Sequence, residues 1–278
     1  MAEGAAMSLF AQTFMQHALW ACLLVSIACG LIGTLIMVNR LSFMSGGMAH
    51  GAYGGVGLAL YLGWPVLPVT ALFTAFLALL LGALGAQKRE RIDTLIGVLW
   101  AAGMALGIIL INLTAGYAQD LMSYLFGSLL TVSSQDLGLM VLADAIIVAL
   151  VALFYRALLV VSFDQDFARS RQLPVLALQL ILLVLVAETI VMLIQVVGLI
   201  LVVALLTLPP AVAELHARDL RGMMLAASLW CLLFCLSGLA LAFVFNLSTG
   251  ACIVACACLA YLLVASWRSL RRRMVQPR

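Results

Sequence analysis

Val175-Leu-Ala-Leu-Gln-Leu-Ile-Leu-Leu-Val-Leu-Val-Ala-Glu-Thr-Ile-Val-Met-Leu-Ile194 runs for twenty residues with a single charged member, Glu188. A helix needs about twenty apolar residues to cross the hydrocarbon core of a bilayer. Eight further stretches read the same way, at 17–39, 47–62, 66–86, 94–113, 137–160, 197–214, 222–245 and 250–267. The stretch at 47–62 is short and Gly-rich, and those at 175–194 and 197–214 nearly touch. Nine crossings are therefore expected, or eight if one of these is broken or re-entrant. Composition agrees, because 66% of the 278 residues are apolar and 9% charged, against roughly 25% charged in a soluble domain. A soluble fold of this length needs far more polar surface. The expected fold is all-α and polytopic, a single membrane domain over residues 1–278 with a helical core at about 17–267 and a basic tail at 268–278.

The basic residues orient it. Numbering the connections alternately puts Arg40, Lys88, Arg89, Arg91, Arg156, Arg169, Arg171, Arg218, Arg221, Arg268, Arg271, Arg272, Arg273 and Arg278 on one side. These are all fourteen basic residues, and the opposite connections, including Thr114–Asp136, hold none. Positive charge marks the cytoplasmic side, so the N-terminus is expected outside and the C-terminus in the cytoplasm. The tail suits lipid headgroups and requires no nucleic acid. Residues 1–16 lack the basic n-region of a cleaved signal. All seven cysteines fall inside apolar runs, with Cys231/Cys235 and Cys252/Cys256 spaced i, i+4. That spacing could suit a metal, but small, packable residues at helix contacts are the simpler reading.

Few residues can carry chemistry. Gly47, Gly51 and Gly55 form an i, i+4, i+8 stripe that lets another helix approach closely. His50 adjoins it, either as a ligand for zinc or a related divalent ion or as a hydrogen-bonded histidine between helices. Glu188 and Asp144 lie inside apolar segments, where a carboxylate costs roughly 2.5–3.5 kcal/mol mid-helix and faces a cavity, a partner or an ion path. Asp144, nearer an interface, also reads as a structural residue. In Ser162-Phe-Asp-Gln-Asp-Phe-Ala-Arg-Ser-Arg-Gln-Leu-Pro174, Asp164 can cap a short helix bearing Asp166, Phe167, Ala168 and Arg169. An amphipathic helix on the cytoplasmic side suits docking to a soluble partner, although an interfacial helix with solvated charges fits the same residues. No GxxxxGK[ST], HExxH or GxSxG occurs, and the only lysine, Lys88, follows Gln87. No catalytic residue is expected here, and any ATP hydrolysis belongs to another chain.

In order, Arg40-Leu-Ser-Phe with Ala49-His50, Asp93-Thr-Leu-Ile-Gly97, Met122-Ser-Tyr-Leu-Phe-Gly-Ser-Leu-Leu130 and Asp164-Gln-Asp-Phe-Ala168 with Leu173-Pro174 are followed by Val197–Pro209 and Ser248-Thr-Gly250. Together they resemble the permease subunits of ABC transporters that take up zinc, manganese or iron, especially the bacterial zinc-uptake permease. The resemblance implies the metal-ABC-importer permease fold in a bacterial inner membrane and a homodimer flanked by two cytoplasmic ATPase subunits. It also implies a periplasmic or surface-anchored metal-binding protein that delivers the ion, and no permanently bound cofactor. It assigns residues 164–168 to the ATPase-coupling helix. One departure stands out: relatives usually carry an Asp four residues before the histidine, and here that position is Gly46. Glu188 falls where relatives usually have an apolar residue, so His50, Glu188 and Asp144 are the expected pathway groups and His50 the metal ligand. The cargo is a divalent metal or, given Gly46, a metal chelate. A competing reading is a secondary transporter coupled through Asp144 and Glu188, although no inverted repeat is evident. An intramembrane enzyme is the weakest, for want of a nucleophile–base pattern.

Overall fold

A computed structural model describes residues 13–87, 92–114, 127, 129, 132–199 and 201–275. Residues 88–91, most of 122–130 and Arg278 lie outside the described residues, as do the side chains of 269–275. The described chain is helical and carries no strand: α1 (Thr13–Val38), α2 (Ser42–Gly51), α3 (Tyr53–Leu62), α4 (Val66–Gln87), α5 (Ile92–Leu113), α6 (Ser134–Phe163), α7 (Gln165–Ser170), α8 (Val175–Val197), α9 (Val202–Glu214), α10 (Leu220–Phe245) and α11 (Thr249–Val275). Seven of them, α1, α4, α5, α6, α8, α10 and α11, are long and apolar enough to cross a membrane. Their outer faces carry side chains such as Leu72 and Leu153, 75% and 74% exposed, which only a lipid surround makes favourable. The last helix continues to Val275, so most of the basic tail prolongs α11.

The two unusual segments have local causes. Ala52 between α2 and α3 keeps helical angles, φ −57° and ψ −23°, so residues 42–62 form one rod with an interrupted turn. The rod stops at Gly63, whose φ of 67° suits glycine. Gly198, at φ 83°, turns the chain between α8 and the short α9.

Helix α1 is the hub, packed against α6, α8, α9 and α10. Its small residues permit this: a Cβ on Gly33 would lie 2.6 Å from the Leu206 carbonyl oxygen. Thr34 inside the same helix returns its hydroxyl to the Gly30 carbonyl at 2.7 Å, which satisfies a polar group without water. The 42–62 rod packs between α4 and α5. Its other neighbours include α8 and α9.

Side-chain contacts group the helix ends into two levels. At one, Asn39 donates to the Ser162 hydroxyl at 2.8 Å and Arg221 lies over the Tyr155 ring at 4.7 Å. At the other, His17 Nδ1 is 3.3 Å from the Val132 carbonyl, and the Leu129 amide donates to Thr249 Oγ1 at 3.4 Å. Arg40, Arg156, Arg169, Arg171, Arg218 and Arg221 belong to the first level through the helix ends that carry them.

Candidate translocation path and coupling surface

His50 sits in the last turn of α2, half-buried. Its Nδ1 is 3.0 Å from the Gly46 carbonyl oxygen. A carbonyl only accepts, so Nδ1 carries the proton and Nε2 presents its lone pair, the tautomer a metal ligand needs. The ring stacks on Trp100 of α5 at 4.1 Å with planes 21° apart, which fixes its orientation. Nothing in the spacing of the sequence pairs residue 50 with residue 100.

The missing carboxylate is not a packing compromise. Gly46 is buried, yet a Cβ there would meet only Val203 Cγ2, at 3.5 Å, an ordinary contact. The position has room for a β-carbon and lacks one. Glu188 lies on α8, the helix that packs against both α2 and α4, and is only half-buried on a helix whose other residues are mostly enclosed. Asp144 is 4% exposed on the α6 face that also buries Met140 and Ile147, and its Oδ1 has no hydrogen-bond partner. Among the described residues no three His, Cys, Asp or Glu side chains converge on an ion-sized gap. His50, Glu188 and Asp144 therefore do not make one cage.

The glycine stripe divides its work. A Cβ on Gly47 would meet Ile96 of α5, one on Gly51 would meet Leu77 of α4 at 2.8 Å and the Leu99 carbonyl of α5 at 3.6 Å, and one on Gly55 would meet Thr70 and Phe73 of α4. A Cβ on Gly103 would lie 2.6 Å from the Gly51 Cα, and one on Gly57 would lie 2.7 Å from the Gly107 Cα. The partner glycines Gly103 and Gly107, spaced i, i+4, were a signal in the sequence that a reading of the stripe alone missed. The cysteines at 231 and 235 are indeed helix contacts: their thiols touch those of Cys29 and Cys22 from α1, all four buried. Cys29 also donates to the Leu205 carbonyl.

The 162–174 segment folds as its residues suggest. Asp164 Oδ1 accepts the Phe167 amide at 2.8 Å and caps α7. Ala168 is fully buried against Val161, Val175 and Leu178, so it anchors the helix. Asp166, Phe167 and Arg169 are exposed, with Arg169 and Asp166 3.5 Å apart and Arg171 over the Phe167 ring. The helix is thus anchored on one side and turns an aromatic and two charges outward.

Residues 11–268 match the ABC 3 transport family. The chain is 50% identical to an uncharacterized membrane protein of Synechocystis sp., over 92% of this chain and 91% of that one. It is 36% identical to the manganese transport system membrane protein MntC of Listeria monocytogenes, over 87% and 86% of the two chains. Among solved structures, PsaBC from Streptococcus pneumoniae, in complex with Fab, superposes with a TM-score of 0.86 at 31% identity and covers 95% of each chain.

Proposed function

Because this chain belongs to the ABC 3 transport family and is a permease of a metal importer, we propose that it conducts a divalent metal ion, manganese first, with zinc, iron or a metal chelate as the other cargoes. The names of its manganese-transporting relatives support that order. Family membership replaces the secondary-transporter reading. The seven long helices, the 42–62 rod and α9 give nine crossings in this account, within a bacterial inner membrane. The level that carries the basic residues faces the cytoplasm and the N-terminus faces outward.

The observation that carries the pathway is His50, with Nδ1 committed to the Gly46 carbonyl and Nε2 left to bind. Glu188 supplies part of the carboxylate character that position 46 lacks, and Asp144 is a further pathway group. Two copies of the chain assemble with two ATPase subunits, which dock on Asp164, Asp166, Phe167 and Arg169 and drive the pore between its two facings. A metal-binding protein delivers the ion from outside. This chain performs no hydrolysis itself.

Metal-resolved uptake in cells that also express the ATPase subunits tests the reading. His50→Ala lowers uptake at least tenfold and Glu188→Ala several-fold at matched expression, as expected of groups that contact an ion in a low-dielectric path. Normal uptake by both variants would remove both residues from the path.

A further inference from the structure

A cavity of about 440 Å³ opens at the basic level, between the end of α1, the starts of α2 and α8, the last turns of α4, and α7. That is the size of an ordinary ligand pocket, roughly 300–1,000 Å³. Its depth is apolar: Met44, Leu81, Leu180 and Leu183 line it. Among the described residues its only charged lining residue is Arg169, joined by Asn39, Gln165 and Gln179. From Val175 to Leu183 the wall runs about 12 Å along α8, at 1.5 Å per residue. The cavity thus starts at the level of the charged groups and reaches into the hydrocarbon zone.

Helix α7 has two working faces. Gln165 and Arg169, four residues apart, both line the cavity, while Asp166 and Phe167 lie exposed elsewhere on its surface, and Arg169, itself exposed, stands at the edge between the two. The ion pair between Arg169 and Asp166 is long, at 3.5 Å, with side chains 57% and 93% exposed. A pair of that kind holds little, so the guanidinium can turn to a better anion. A cationic, amide-bearing rim over an apolar shaft at headgroup level has the chemistry of one amphiphile.

We propose that this cavity holds an anionic phospholipid, its phosphate on Arg169, its ester region beside Gln179 and one acyl chain against Leu81, Leu180 and Leu183. The lipid is a constitutive part of the permease and braces α7 from beneath, independently of which metal crosses.

The test is native mass spectrometry of the full-length chain, moved from mild detergent into nanodiscs with phosphatidylglycerol or phosphatidylcholine. The wild type retains phosphatidylglycerol about fivefold more than phosphatidylcholine, the effect of one cationic contact. Arg169→Gln abolishes that preference, and Gln179→Trp, which fills the shaft, lowers retention of both lipids. Equal retention by the wild type overturns the proposal, and this arm needs no variant to fold. Retention of phosphatidylglycerol unchanged in both variants overturns it as well. Loss of the lipid when the ATPase subunits bind, with Gln179→Cys crosslinking to them, assigns the cavity to the ATPase instead.

Discussion

At the scale of single residues, position 46 is the most informative. A glycine within a helix costs about 0.5–1 kcal/mol relative to alanine, and nothing crowds this one except Val203 Cγ2 at 3.5 Å. Gly46→Asp should therefore fold, and it places a carboxylate one turn from His50. We expect Mn²⁺ or Zn²⁺ to bind at least about tenfold more tightly, because affinity follows the charge of the ligand set. Titration calorimetry on the purified chain reads this, and unchanged affinity would detach His50 from any ion site. The tautomer of His50 and its stack on Trp100 were not legible beforehand. The stack depends on a partner fifty residues away, whereas sequence spacing reports only neighbours on one helix. The tautomer rests on the side-chain rotamer that brings the ring to the Gly46 carbonyl within α2.

At the scale of elements, α7 was legible nearly in full. Asp164 carries its own explanation, since a capping carboxylate satisfies an amide three residues on. Asp164→Ala should cost the short helix about 1 kcal/mol, which appears as roughly fivefold weaker association with the ATPase subunits. Pull-down at graded ATPase concentrations checks it, while an unaltered thermal midpoint of the permease excludes general damage. Undiminished association would mean that the docked partner does not need the cap. The helix pair 42–62 and α5 was legible only by half. The stripe at Gly47, Gly51 and Gly55 announced a close contact, but its partners lie on two different helices. Gly103→Leu should separate the rod from α5 and cost about 1–3 kcal/mol through overpacking. A lowered melting temperature in detergent is the expected sign, and an unchanged one would deny the glycine contact.

For the whole molecule, the distribution of basic residues makes the strongest claim. The described ones gather at one helix-end level, tied together by the Asn39–Ser162 and Arg221–Tyr155 contacts. If that level is cytoplasmic, green fluorescent protein fused after Arg278 fluoresces, and alkaline phosphatase fused there is inactive. The opposite pair of results reverses the topology. The apolar runs, the charge asymmetry and the Asp164 cap could all be read from the chain, because the bilayer imposes length and sidedness on each segment separately. Which helices meet could not be read that way. Lipid and leucine are equally apolar, so helix partners are chosen by close approach of small residues from distant segments. Gly51 on Gly103, the thiols of Cys22 and Cys29 on those of Cys235 and Cys231, and the cavity beneath α7 are products of that choice. They exist only once the helices have packed.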